Sequence, residues 1–265
     1  MTTRLRTGIG AAAAVVLLLD VFVVYGARVT HAVTAVDARR MYAEAPSYAG
    51  TDDYADRDAG VRPASGVYRY ATSGHARIDR LGVDRRYPST TVRVVRHGPG
   101  CEWSETVPIL REHVETYTAC STRGDQLDTG FATDLTYFLV PGRGNSICSP
   151  AGTRTGAGRR SGEEVRFRCV DREHGVVTTG TTTYTGLGRA EVDGSPWPCR
   201  EVRIVTVMSG STQGAAVRDI CADAVTGLVL AEHRHVGLSV SSRFVGRVTY
   251  TEDAQFRLLS FTPEV

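Results

Sequence analysis

Short runs of alternating apolar and polar residues recur from about residue 65 to the carboxyl end of the chain. In the clearest run one parity is apolar and the other is mostly polar; the apolar residues are Leu238, Val240, Phe244, Val248 and Tyr250. An alternation of period two is typical of a strand with one face on a core and the other in water. The run therefore predicts one long antiparallel strand.

Other runs, rich in β-branched and aromatic residues, lie between turn signals. Examples are TTVRVVRHG after the Tyr87-Pro88 break, EEVRFRCVD and CREVRIVTVMSG. About ten such strands predict a mainly β domain, built as a curved antiparallel sheet or half-barrel, with a sandwich as the alternative. The helical signal in this region is weak and is strongest over residues 125–139.

Six cysteines are spread singly through the same region: Cys101, Cys120, Cys148, Cys169, Cys199 and Cys221. An even number in an exported domain indicates disulfides. Taken in sequence, the three pairs have their midpoints near Leu110, at residues 155–159 and at Gly210, where turns are expected. Residues equidistant from a turn face each other across a hairpin, so we predict three hairpin disulfides, 101–120, 148–169 and 199–221. Zinc binding is disfavoured because no Cys-x-x-Cys pair occurs.

An apolar run from residue 8 to residue 29 follows a short head that carries Arg4 and Arg6. Its length matches a bilayer core of about 30 Å and predicts a transmembrane signal-anchor. Basic residues before such a segment favour a cytoplasmic head, which places the carboxyl-terminal domain outside the cell. We expect a single-pass protein of the plasma membrane. The alternative is a protein secreted after signal cleavage, at a small-x-small site at residues 30–32 or 33–35.

These features divide the chain into three parts. Residues 1–30 are predicted to be the cytoplasmic head and the transmembrane anchor. Residues 31–64, which are charged and rich in turn residues, are predicted to be a flexible linker with a short helix near residues 36–43. Residues 65–265 are predicted to be the extracytoplasmic β-rich domain.

The charge of the chain narrows the choice of partners. With 31 basic and 29 acidic residues, the formal net charge is only +2, so we expect no nucleic-acid partner. The expected partners are the plasma membrane, through residues 8–29, and a lipid or a protein of the cell envelope.

The sequence contains no G-x-S-x-G, H-E-x-x-H or Walker A pattern. We therefore expect neither an enzyme nor a cofactor. His233 and His235 share one face of a predicted strand, and two imidazoles so placed are weak candidate metal ligands. They have no obvious third ligand, so no metal site is predicted.

Turn residues around the last two cysteines carry a resemblance. A turn at Val192-Asp193-Gly194 leads into a strand from Cys199 to Ile204, and a turn at residues 223–228 follows Cys221. This pattern resembles the periplasmic lipoprotein-carrier proteins and related half-barrel, lipid-binding lipoproteins. The whole chain also resembles membrane-anchored extracytoplasmic proteins of actinobacteria. The resemblance implies a half-barrel that binds lipid; it transfers no binding residue, and no Cys that could be lipidated precedes Cys101.

Three classes of function remain. The first is a membrane-anchored extracytoplasmic binding domain for a lipid or another apolar ligand, in which Leu238, Val240 and Phe244 line the cavity. The second is a structural or protein-interaction component of the cell envelope without a small ligand. The third is a hydrolase with a dispersed site, which a buried histidine beside a serine or a carboxylate would favour.

Overall fold

The computed structural model describes residues 32–44, 60–79, 82–137, 140–156, 158–242 and 246–264. Within these ranges one helix precedes an antiparallel sheet. The helix is α1 (Ala35–Glu44), and the strands are β1 (Gly66–Ile78), β2 (Val83–Arg86), β3 (Thr90–His97), β4 (Glu102–Leu110), β5 (His113–Ser121), β6 (Asp125–Tyr137), β7 (Val140–Gly156), β8 (Glu164–Asp171), β9 (Val176–Val192), β10 (Ser195–Gly210), β11 (Thr212–Ala222), β12 (Val229–Ser242) and β13 (Gly246–Leu258). The fold is mainly β, as predicted.

The sheet closes on itself. From β3 to β13 each strand pairs with the next along the chain, and β1 pairs with both β3 and β13. The closing ladder runs from Tyr70 opposite Leu258 to Ile78 opposite Tyr250. Strand β2 adds a short pairing to β1 outside this ring. The described chain is therefore a closed barrel of twelve strands, and the predicted curved sheet or half-barrel is wrong because the first long strand pairs with the last.

The three predicted disulfides are confirmed. Cys101 is joined to Cys120, Cys148 to Cys169, and Cys199 to Cys221. Each bond joins the two arms of one hairpin: the residue just before β4 with β5, β7 with β8, and β10 with β11. The midpoint reasoning succeeded because each hairpin has nearly equal arms.

Two predicted elements differ from the structure. Residues 125–137 form strand β6 rather than a helix; register shifts at 126/127 and 128/130 interrupt the alternation, so the strand pattern is lost in the sequence. The long carboxyl-terminal strand is a hairpin, since Ser242 of β12 pairs with Gly246 of β13. Three residues separate Ser242 from Gly246, so paired residues such as Leu238 and Tyr250 have sequence numbers of the same parity. The alternation of apolar and polar residues therefore continues across the turn, and the sequence pattern does not show where the turn lies.

One end of the barrel is filled. We call it the lower end; it is where β12 begins and β13 ends. Its core contains aromatic and aliphatic side chains from many strands, including Tyr68, Tyr70, Trp103, Leu228, Leu230, Phe256 and Leu258. The polar atoms there have partners: Trp103 Nε1 donates to Ser121 Oγ at 2.9 Å and the Tyr70 hydroxyl donates to the Val229 carbonyl at 2.6 Å. The lower end is thus closed to ligands.

Helix α1 confirms the short helix predicted near residues 36–43. Thr34 caps it, since its Oγ1 accepts from the Asp37 amide at 3.2 Å. Ala38 packs against Val67 and Val94 on the outside of the barrel. The described part of the chain contains no helix with the length and apolar composition of a membrane span. The predicted anchor at residues 8–29 lies outside the described residues, and the predicted domain boundaries stay a prediction.

Candidate functional site

Arginine and glutamate side chains fill the middle of the barrel. Alternation along the strands turns these residues inward, between the lower core and the opposite, upper end. We call them the charged layer; its members are Arg93, Glu105, Glu115, Arg154, Arg218, Glu232, Arg234 and Glu252. Burying one unpaired charge is costly, so a layer of this kind requires mutual pairing.

In one half of the layer, Arg93 and Arg154 share Glu105. Arg93 donates to Glu105 at 2.9 Å and to Glu232 at 2.7 Å. Arg154 donates to the other oxygen of Glu105 at 2.8 Å and to Asp128 at 3.0 Å. Both guanidinium groups also lie over aromatic rings of the lower core, which adds cation–π attraction.

The other half faces the upper end. Arg234 donates to Glu115 at 2.6 Å and also contacts Glu252. Arg218 donates through Nε to Glu232 at 2.7 Å and lies 4.5 Å above the ring of Tyr117. Glu232 joins the two halves, because it accepts from both Arg93 and Arg218. Tyr117 links Arg218 to the Arg234 group, because its ring lies under Arg218 and its hydroxyl donates to Glu115.

The arginines of the network favour the charged form of Glu232 and Glu115. Burial alone raises the pKa of Glu232, but the charges of Arg218, Arg93 and Arg234 outweigh burial, and the pKa lies well below its ordinary value. The pKa of Glu115 is lowered in the same way. Burial raises this pKa, but the charge of Arg234 and the hydrogen bond from His113 lower it by a larger amount. Glu115 and Glu232 therefore stay ionised at neutral pH.

His113 lies at the edge of the layer and is buried. Its Nε2 is 3.0 Å from Glu115 Oε1, and its ring meets those of Tyr87 and Tyr250 edge-on at 6.5 and 6.2 Å between centroids. His113, Glu115 and Glu252 bring potential metal-ligand atoms within 4.8 Å of one another. Arg234 already contacts both carboxylates, so a divalent cation would have to compete with a fixed positive charge. We assign these residues to the network rather than to a metal.

A cavity of about 140 Å³ lies between the charged layer and the upper end. Arg218, Arg234, Glu115 and Glu252 line its floor. Its walls are mostly apolar, with some threonines; the apolar side chains include Phe131, Leu135, Phe167, Ile204, Met208, Ala216, Val236 and Leu238. Strand β12 passes from the floor to the walls, since its inward residue Arg234 is followed on the same face by Val236 and Leu238.

The upper part of this cavity reaches solvent. Val236, Leu238 and Met208 point inward, yet each is partly exposed, whereas inward residues at the lower end are buried. Close packing fills most protein interiors, so inward apolar side chains that remain partly exposed mark an opening. The site is therefore an apolar cup with a charged floor.

The candidates predicted from sequence are distributed unevenly. Leu238 lines the cavity, while Val240 lies nearer the upper rim and is 39% exposed. Phe244 lies outside the described residues. His233 and His235 are on the outer face, each close to Asp253, at 3.7 and 3.5 Å.

Sequence reasoning missed the charged layer, although a signal was present. Glu232 and Arg234 have the same parity as Leu230 and Leu238, and Glu252 has the parity of Tyr250. A charge at an inward position of an alternating strand is uncommon, and several of them indicate mutual pairing inside.

Comparisons with known proteins give little for this chain. No protein family matches it, and no curated protein matches it. Among solved structures it is similar to the hypothetical lipoprotein YmcC from Escherichia coli K12, with 10% identity and a TM-score of 0.33 over 83% of this chain and 96% of that one. It is also similar to a DUF1329 family protein from Desulfovibrio piger, with 12% identity and a TM-score of 0.20 over 74% and 86%. The structural overlap is low in both cases, and neither carries an argument about function.

Proposed function

We propose that this protein is an extracytoplasmic binding domain whose barrel takes an apolar ligand through the upper end. The observation that carries the proposal is the cavity whose walls are apolar and partly exposed above a buried charged floor. Binding places the apolar part of the ligand against Val236, Leu238 and Met208 and removes both surfaces from water.

The size of the cavity sets the expected ligand and its affinity. About 140 Å³ is close to the ~150 Å³ engineered cavity that holds benzene. A ring of that size buries roughly 150–250 Å², worth about 4–6 kcal/mol at 25 cal/mol per Å². Association costs reduce this gain, so a small ring alone should bind in the millimolar range. A longer ligand would extend through the upper end.

The compartment is supported by the disulfides. Three disulfides fit an extracytoplasmic location, because bonds of this kind persist in oxidising compartments. The anchor at residues 8–29 belongs to the proposal and would hold the barrel beside the membrane, where apolar ligands are abundant.

The experiment compares two matched leucine variants. Ala216 lines the cavity, while its neighbour Ala215 is exposed on the outer face. In Ala216→Leu three added carbon atoms occupy the cavity, whereas in Ala215→Leu they enter water. Toluene binding is measured by methyl NMR of the full chain in lipid nanodiscs. Shifts at Val236 and Leu238 that are lost only in Ala216→Leu support the proposal; no shifts in the unmodified protein would overturn it and favour an envelope protein without a ligand.

A hydrolase is the second candidate, and one observation favours it. The buried His113–Glu115 contact is the kind of pair that can move a proton. Glu115 also accepts from Arg234 and from the Tyr117 hydroxyl, at 2.6 and 2.9 Å, so it is held as part of the network. Hydrolysis of p-nitrophenyl acetate that is lost in His113→Asn would support this candidate, and an unchanged rate would exclude it for this pair.

A further inference from the structure

Two arginines on the cavity floor retain unused hydrogen-bonding capacity. The Nη2 atoms of Arg218 and Arg234 are shielded from solvent and have no hydrogen-bond partner among the described residues. The side chain of Arg234 is only 3% exposed and that of Arg218 13%. Because a buried donor without an acceptor carries a free-energy penalty, few such groups persist in folded proteins. Their presence beside a cavity indicates an acceptor that arrives with a ligand.

The two groups are neighbours across the sheet. Arg218 of β11 lies directly opposite Arg234 of β12 in the strand register, and both line the cavity. Like charges directly opposite each other are destabilising. An oxygen atom with two lone pairs can accept from both guanidinium groups and reduce this repulsion.

The charge of the layer determines whether the ligand oxygen that accepts from Arg218 and Arg234 should be charged or neutral. The four arginines of the layer face four glutamates and Asp128, so the formal charges of these nine side chains sum to −1. A carboxylate would add a second negative charge to a buried region and would lie close to Glu115 and Glu252. A neutral carbonyl oxygen satisfies the same donors without that cost.

We propose that the cavity selects a neutral apolar ligand carrying a carbonyl oxygen, such as an ester, an amide or a ketone, and that Arg218 and Arg234 donate to that oxygen. This inference rests on the proposed function, since it specifies the ligand of the same cavity. The apolar part of the ligand lies against the walls, and the carbonyl group points to the floor.

Three probes of similar size separate the contributions. Acetophenone and α-methylstyrene have the same shape and differ only by an oxygen in place of a CH₂ group, while benzoate carries a full charge. Each is titrated into the full chain in nanodiscs and followed at the methyl groups of Val236 and Leu238. We expect acetophenone to bind about tenfold more tightly than α-methylstyrene, and benzoate to bind more weakly than acetophenone.

The outcomes distinguish the two levels of the proposal. Equal affinity for acetophenone and α-methylstyrene would overturn the inference but leave the binding function standing. Tighter binding of benzoate than of acetophenone would overturn the neutral-ligand assignment. No binding by any of the three would overturn the proposed function itself.

An arginine variant locates the effect. Arg218→Met removes one of the two free donors and keeps an apolar stem, and Arg203→Met, at an exposed site on the outer face of β10, is its control. Because Arg234 can still donate, Arg218→Met should reduce the preference for acetophenone while retaining binding of α-methylstyrene; Arg203→Met should change neither. If Arg218→Met fails to fold, the affinity ratio of the two probes in the unmodified protein still decides the inference.

Discussion

Replacement of Glu232 by Gln removes the charge that joins the two halves of the layer. Glu232 Oε2 accepts from Arg93 Nη2 and Oε1 accepts from Arg218 Nε, both at 2.7 Å. Glutamine has the same shape, but its NH₂ group can only donate, so one arginine then faces a donor. The variant therefore isolates the loss of charge and of one hydrogen bond from any loss of packing.

The expected cost follows from burial. The side chains of Arg93 and Glu232 are each 1% exposed, so water cannot replace the lost partner. Removing one partner of a buried ion pair typically costs about 3–5 kcal/mol. The matched control is Asp219→Asn on strand β11. Asp219 pairs with Arg203 at 2.7 and 2.9 Å, but the side chain of Asp219 is 41% exposed and that of Arg203 is 55% exposed. An exposed pair is worth about 1 kcal/mol or less.

The assay is equilibrium urea unfolding of the full chain at pH 7 with the disulfides intact, followed by the fluorescence of Trp103 and Trp197. Glu232→Gln should lower the free energy of unfolding by about 3–5 kcal/mol and Asp219→Asn by about 1 kcal/mol or less, each with an unchanged denaturant slope. A loss from Glu232→Gln no larger than that of the control would refute the view that the layer is a tightly coupled network.

The pH dependence of the free energy of unfolding provides a second test with the same variant. Because the folded-state pKa of Glu232 lies below its ordinary value of 4.5, the stabilisation that its carboxylate provides is present above pH 4.5 and is lost as the pH falls through the folded-state pKa. The difference between the unmodified protein and Glu232→Gln should therefore narrow below pH 4.5. A difference that stays constant down to pH 2 would contradict this reasoning.

Three further predictions concern other parts of the barrel. Replacing Cys199 and Cys221 together by Ser should lower the free energy of unfolding by about 3 kcal/mol, measured by urea unfolding beside the reduced protein. Gly194 lies in the turn between β9 and β10 with a φ of 71°, so Gly194→Ala should lower the free energy of unfolding by about 1 kcal/mol or more. An unchanged free energy of unfolding would contradict a left-handed turn there. Ala216→Leu should abolish toluene binding without lowering the melting temperature as much as the cysteine change, whereas Ala215→Leu should leave binding intact.

The local structure was largely readable from the sequence. Alternation located most strands, and the cysteine midpoints gave the three disulfides because each hairpin has arms of similar length. The Asp193-Gly194 turn was also expected, and both residues have positive φ in the structure, 52° and 71°. These features depend on neighbours within about 20 residues.

Closure of the barrel was not readable. The pairing of β1 with β13 joins residues such as Tyr70 and Leu258, which are far apart in the chain, and alternation does not say which strands are adjacent. The parity of the strands could have shown that charged residues point inward, but the partners within the charged layer were not readable for the same reason. Glu232 and Arg93 can form an ion pair only because closure of the barrel brings β3 and β12 to face each other.

The most direct test of the account is the position of a bound apolar probe inside the barrel. The full chain, with isoleucine, leucine and valine methyl groups labelled, is titrated with acetophenone in nanodiscs, and intermolecular nuclear Overhauser effects are recorded. The account predicts contacts to the methyl groups of Val236 and Leu238 and none to Val205 and Val207, which are exposed on the outer face. Contacts to Val205 and Val207 alone, or to none of the four, would contradict it.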